Sequence, residues 1–184
     1  MMYTIEIDTT GFEKSLDRLI KGLTQRKPLM QTLAMHMLFA VEKNFQQQGR
    51  PAWAGWSPRY AREARRRGQT NILQRSGRLA ASITPVSDND TARVGTNVKY
   101  AAIHQEGGQI HIAARSQQAY YRQYKNGSVG NRFVKKGRSN YSEWHTLPEY
   151  NITMPARPFL SLDDSDSVDM EDSVQKYLRG LTGG

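Results

Sequence analysis

Cysteine is absent from the 184-residue chain. Disulfides and thiolate metal sites are thereby excluded, and the composition suits a protein made in reducing cytoplasm. Long hydrophobic runs are missing as well. Every apolar stretch is broken within a few residues, well short of the roughly 20 that span a bilayer, so no membrane contact is expected. Residues 1–8 alternate like a strand and lack a basic region followed by an apolar block, so they are not expected to be a secretion signal.

Catalytic signatures are lacking too. No phosphate-binding loop of the GxxxxGK(S/T) type is present, and the Gly127/Gly130 pair has no strand and helix around it. Ser76 does not sit in a GxSxG elbow. The histidines at 36, 104, 111 and 145 carry no His-Glu-x-x-His spacing and no accompanying thiolate or carboxylate pair; His104 is expected to pack on a helical turn and hydrogen-bond locally. Acids concentrate where a helix N-terminus accounts for them. No catalytic, cofactor-binding or metal-binding residue is assigned, no cofactor is implied, and an enzyme is not expected.

What the chain does have is segregated charge. Its formal net charge is +9. Residues 50–78 contain eight arginines (50, 59, 62, 65, 66, 67, 75 and 78) against Glu63, a net of +7. Residues 109–140 contain Arg115, Arg122, Lys125, Arg132, Lys135, Lys136 and Arg138 with no acid, again +7. Residues 161–184 contain six acids against Lys176 and Arg179, a net of −4. Such a split attracts polyanions at one surface, or lets one subunit's acidic face meet a neighbour's basic face.

Periodicity points to an α+β fold in a single domain, residues 1–184: a mostly antiparallel sheet of about four strands, packed by two N-terminal helices and one C-terminal helix. Phe12, Leu16, Leu19, Ile20 and Leu23 recur at helical spacing after a cap at Thr9 or Thr10, with Glu13 three residues after Thr10 completing a capping box. Lys27-Pro28 breaks that helix. A broader stripe from Leu29 to Phe45 predicts a second helix that crosses the sheet and stops at Gly49; its methionines read as core filling. The Arg-rich segment within residues 50–78 reads as a short exposed helix or ordered basic arm. Residues 79–86 and 91–98 read as strands joined by the turn Ser87-Asp88-Asn89-Asp90, with further strands at 110–112 and 150–153. Residues 114–147, polar, basic and tyrosine-rich, read as an extended loop or hairpin insertion. Asp163, Asp164, Ser165 and Asp166 open the last helix, whose stripe runs through Val168 or Met170, Val174, Tyr177, Leu178 and Leu181.

Two aromatic groups admit more than one reading. Trp53 and Trp56, around Gly55, either close the core beside the second helix or anchor a subunit contact. Tyr120, Tyr121, Tyr124 and Tyr141, interleaved with Arg and Lys, either stack on nucleobases or belong to a loop that docks on protein, and without a nucleic-acid-binding motif protein contact is favoured.

Five short motifs occur in order: Trp53-Ala54-Gly55-Trp56-Ser57-Pro58; Ile72-Leu73-Gln74-Arg75-Ser76-Gly77-Arg78-Leu79 with Ser82-Ile83; Val94-Gly95-Thr96-Asn97; Tyr100-Ala101-Ala102-Ile103-His104-Gln105 with Gly107-Gly108; and Pro155-Ala156-Arg157-Pro158-Phe159-Leu160. Together, over roughly residues 50–162, they resemble the virion morphogenesis (tail completion) proteins of Mu-like phages and prophages. The resemblance implies a small structural α+β subunit of the head-tail junction, built in the bacterial cytoplasm and kept in the virion neck or tail. It implies a ring of copies of itself, a hexamer, meeting the tail tube and the head-tail connector, with non-specific contact to passing DNA as an option. Residues 114–147 exceed the family's core and take no role from it. Gly77 and Gly95 are expected to supply turn geometry or close backbone approach. Candidate subunit or partner contacts are Trp53, Trp56, Arg62, Arg65, Arg66, Arg67, Arg157, Phe159, Asp163 and Asp164, with Arg157 expected to meet a neighbour or a buried carboxylate. Candidate DNA or partner contacts are Arg115, Tyr120, Tyr121, Arg122, Lys125, Arg132, Lys135, Lys136 and Arg138.

Overall fold

The computed structural model describes residues 10–182; the strand expected at residues 1–8 and the cap expected at Thr9 lie outside them. The chain forms two compact units, one from Met1–Glu106 with Pro155–Gly184 and the other Gly107–Met154.

In the first unit, α1 (Thr10–Thr24) is followed by α2 (Lys27–Gln47), which carries Pro28 in its first turn, where the fixed φ of proline is accommodated. The apolar stripe of α2 buries Leu29, Ala34, Val41 and Phe45, and the helix packs across the hairpin β1 (Thr84–Ser87) and β2 (Ala92–Gly95) and against α6 (Asp164–Thr182), as its broad stripe predicts. It ends where Gln48 turns left-handed at φ 60°. Gly49 follows because a Cβ there would lie 2.4 Å from the Trp53 ring. Between them come α3 (Pro58–Arg66), α4 (Arg78–Ala81) and α5 (Ala101–Glu106).

The strand expected over 79–86 is shorter than its apolar content suggested. Gly77, at φ 69°, starts the helical turn α4, which Ser82 closes by donating to the Leu79 carbonyl at 2.7 Å. Leu79 thus points into the core as part of a helix. Gly95 has neither positive φ nor a close neighbour, so the special geometry expected there is confined to Gly77. The turn at 87–90 forms as expected: the Asp88 carboxylate accepts from the backbone of Asp90 (2.8 Å) and Thr91 (2.7 Å), an Asx arrangement. Asn89 bridges this turn to the α1–α2 link through Arg26 N–H and the Thr24 carbonyl.

One core joins these pieces: Val41, Phe45, Trp53, Leu79, Ile83, Val98, Ala101 and Phe159. Phe159 is wholly buried, its ring 5.6 Å from that of Phe45, which meets Trp53 edge-on at the same distance. By contrast, Leu16, Ile20 and Leu23 leave the apolar stripe of α1 about half exposed, and Val168 of α6 faces solvent.

The second unit contains two antiparallel ribbons, β3 (Gly108–Ile112) with β6 (Tyr150–Met154), and β4 (Arg115–Tyr121) with β5 (Tyr141–Leu147). The class is α+β with antiparallel pairing, as expected; among the described residues the strands form three two-stranded ribbons, where one sheet of about four was expected.

Candidate functional site

Residues 155–160 are tied by hydrogen bonds to several distant parts of the first unit. Two prolines prevent helix formation, so the segment runs extended and exposes its backbone groups to capture. Its backbone is held by four residues that are distant in sequence. Arg157 N–H donates to the His104 carbonyl at 2.7 Å. The Gln105 Oε1 accepts from Phe159 N–H (3.0 Å) and Leu160 N–H (2.9 Å). The Trp53 indole donates to the Pro158 carbonyl at 2.9 Å. The fully buried Asn44 amide donates to the carbonyls of Phe159 (2.9 Å) and Ser161 (2.8 Å). Buried carbonyls and amides left unpaired cost about 1–3 kcal/mol each, so these contacts fix both the path of the segment and the depth of Phe159.

Arg157 is 6% exposed. Its Nε donates to the Ala54 carbonyl at 2.7 Å and its terminal nitrogen to the Gly55 carbonyl at 2.9 Å. The buried partner expected to be a carboxylate is thus a pair of backbone oxygens, which clamp the tryptophan loop onto the 155–160 segment. Burial favours the neutral form and lowers the Arg157 pKa. Beside it, His104 packs edge-on against Tyr100, ring centroids 5.9 Å apart. The local hydrogen bond expected of that ring is not made: its buried Nδ1 has no partner. Burial, and then the charge of Arg157, lowers the His104 pKa.

A second cluster ties α2 to α6. Asp163 and Asp166 form a reciprocal capping box: Asp163 Oδ1 accepts from Asp166 N–H at 3.1 Å, and Asp166 Oδ2 accepts from Asp163 N–H at 3.2 Å. Arg50 grips both carboxylates at 2.6 Å while its Nε donates to Asn44 Oδ1 at 2.8 Å. Lys43 adds a contact to Asp166 at 3.3 Å. Hydrogen bonds to Ser165 and the backbone lower the Asp163 pKa; for Asp166, burial pushes upward, yet the bonds to Arg50, Asp163 and Lys43 prevail and lower it. One of the acids assigned to an outer contact, Asp163, is therefore neutralised inside the subunit, whereas Asp164 is exposed and carries no ion pair.

The remaining candidates divide by exposure. Trp53 and Phe159 lie in the core. Trp56 is half-buried, its ring 5.6 Å from Tyr60 of α3. Arg62, Arg65 and Arg66 are exposed on α3 without ion pairs, and Arg67 pairs with Glu63 one turn away. Ala64 is the one buried residue of α3, consistent with a helix seated by one small side chain and otherwise facing outward.

In the second unit Arg115, Arg122, Lys125, Arg132, Lys135, Lys136 and Arg138 are exposed and make no ion pair. Tyr120 donates to Gln118 at 2.8 Å, and Tyr121 meets Phe133 (5.3 Å) and His145 (6.1 Å) ring to ring. Between β4 and β5 the chain is hydrogen-bonded throughout its turns, with Tyr124 N–H donating to Ser128 and Gly130 N–H to Arg122, each at 2.8 Å. Trp144 (68% exposed) and Phe133 (77%) stand out on this unit. Sequence reasoning missed Asn44, Arg50 and Gln105 as framework residues. Asn44 was detectable as an amide interrupting the buried stripe of α2 beside Val41 and Phe45.

No group of three or more His, Asp or Glu side chains able to hold a metal occurs among the described residues, and no helix there is long and apolar enough to cross a membrane. A family model described as the phage virion morphogenesis family matches residues 7–179. The chain is 33% identical over 181 residues to the Mu-like prophage FluMu G protein 2 of Haemophilus influenzae, covering 98% of this chain and 99% of that protein. It is 30% identical over 180 residues to the putative capsid assembly protein G of Escherichia phage Mu, covering 95% and 92% respectively. No solved structure gives a significant match.

Proposed function

The chain belongs to the phage virion morphogenesis family, and on that premise we propose that it is a non-enzymatic subunit of the head-tail junction, a tail-completion or terminator component that works as a closed ring and stays in the finished virion. The observation that carries this reading is the use made of the motif residues. Trp53, His104, Gln105, Arg157 and Phe159 brace the subunit itself, while the outward charges and aromatics remain available to neighbours. Binding then rests on surface complementarity. The exposed cations and aromatics of Gly107–Met154 are the surface proposed to meet the tail tube or connector, with passing DNA as a non-specific second contact.

Native mass spectrometry across concentration, with negative-stain images of large species, tests the ring. Closed rings support it. A monomer at every concentration that also fails to copurify with tails or connectors overturns it. The relative named for capsid assembly favours a second reading, action in head assembly alone; absence of the chain from purified virions would select it. Charge reversal at Arg65, Arg66 and Arg67 is expected to impair ring formation while leaving the monomer folded.

A further inference from the structure

Between α2 and α6 lies a cleft of about 390 Å³ lined by Phe39, Glu42, Asp169 and Gln46, with the Lys43–Asp166 pair on its lining and His36 beside them. Its make-up is unusual for a seam between two helices. Phe39 is 50% exposed. Glu42 is exposed and has no ion pair, and Asp169 reaches Lys43 only at 4.0 Å and is 59% exposed. Asp166 is already saturated by Arg50 and Lys43. An aromatic face flanked by two under-neutralised carboxylates is the environment that a guanidinium fits: the plane stacks on the ring while its N–H groups reach the acids.

The same compact unit presents the complement. On α3, Arg62 and Arg66 are four residues apart and so share one helical face, and neither has an acidic partner within its own subunit. We propose that Arg62 and Arg66 of one copy seat in the Phe39–Glu42–Asp169 cleft of the next. The two patches are different surfaces of one body, so the contact is heterologous, and repeating it generates a ring if the rotation closes and a filament if it does not. This inference rests on the ring reading and adds the faces that meet. It also assigns Glu42, Asp169 and Phe39 a role in place of Asp163, which is occupied internally.

The lack of cysteine makes a clean test possible. Glu42→Cys and Arg66→Cys are made in separate full-length chains, mixed, and oxidised with a mild disulfide-forming agent at assembling concentrations. A cross-linked dimer that appears in the mixture and in neither variant alone is expected. Glu42→Arg with Asp169→Arg is expected to weaken association at least about tenfold at low salt. Arg62→Glu with Arg66→Glu is expected to do the same, and co-mixing the two reversed chains should restore a pairwise complex. Rings by native mass spectrometry without the mixed cross-link would overturn this contact while sparing the ring. Loss of assembly from the arginine reversal alone, with the cleft reversal silent, would also overturn it and assign those arginines to another partner. Neither rings nor cross-link at any concentration, with tails present, would overturn both.

Discussion

The two units of this chain are held by different kinds of interaction. In the unit built on the three longest helices, polar side chains join residues far apart in sequence: Asn44 to Ser161, Trp53 to Pro158, Arg157 to Ala54. All are buried or nearly so, and all converge on the segment that seats Phe159. In Gly107–Met154 the bonds run between paired strands, as in Gln118 with Ser142 or His111 with Asn151, and the large aromatics Trp144 and Phe133 lie in solvent. A framework of buried, directional bonds resists distortion, because each broken bond leaves an unpaired polar group. Cross-strand pairs contribute only about 0.2–1 kcal/mol each, so that unit trades rigidity for exposed surface. The first unit is thus braced from within, whereas the second leaves its large aromatics outward.

Removing the seat of the framework should produce the largest effect. Phe159→Ala is expected to destabilise the first unit by about 3–5 kcal/mol, the range for buried phenylalanine truncation. Trp53 and Trp56 lie in that unit and Trp144 in the other, so single-tryptophan variants report on each separately during denaturant unfolding. The comparison predicts an early transition at Trp53 with Trp144 little changed. A single shared transition would show that the units unfold together.

Next in size is the Arg50 cluster, where the Arg50 and Asp166 side chains are 11% and 4% exposed. Arg50→Met leaves two carboxylates facing each other beside α2, and a loss of about 3 kcal/mol is expected. Combining it with Asp166→Asn should recover part of that loss, since a buried charge stripped of its partner costs more than the absent pair. Chemical denaturation of the two variants and the combination measures it; an additive result would mean the cluster is not coupled.

Acid supplies a smaller perturbation, followed at three groups of the first unit. His104 has a lowered pKa in the fold, so the unfolded chain binds its proton first. Its contribution is complete above about pH 6.5 and falls as pH drops below that value, levelling once the folded state also protonates. Asp163 and Asp166, with lowered pKa values, contribute fully above about pH 4, and that part is lost as pH falls through their folded values. Melting curves between pH 8 and 5 should therefore slope downward for the native chain and be flatter for His104→Gln. Equal slopes would remove His104 as the cause.

These differences also mark what a reader of the sequence can see. The α2 helix, the start of α6 and the turn at 87–90 were legible because each is set by local chemistry: a wide apolar stripe with Pro28 and Gly49 at its ends, acids at a helix N-terminus, an aspartate folding onto its own backbone. Leu79 was misread because its apolar neighbours suit a strand, while Gly77 and Ser82 turn the chain helical first. The framework was illegible because Asn44 and Gln105 acquire their partners only when segments roughly fifty to over a hundred residues apart meet. Charge counting erred for the same reason. Arg50 belongs to the basic stretch and Asp163 and Asp166 to the acidic one, yet they cancel inside the subunit, so both surfaces are weaker than their sums imply.

The smallest stability effect should come from the residue that looks most conspicuous on the second unit. Trp144 lies opposite Gln118 in the β4–β5 register and is 68% exposed, so most of its ring faces solvent. Trp144→Ser is expected to change stability by no more than about 0.5 kcal/mol, the ordinary range for surface positions. Burying a tryptophan removes some 150–250 Å² from water, and such residues commonly dominate the centre of an interface. If Gly107–Met154 meets a tail or connector protein, the same substitution should lower copurification with that partner and the yield of joined particles, with the ring intact. A loss of 2 kcal/mol or more in stability would instead make Trp144 part of the ribbon's own support. The two units would then differ in topology but not in the kind of residue that holds them.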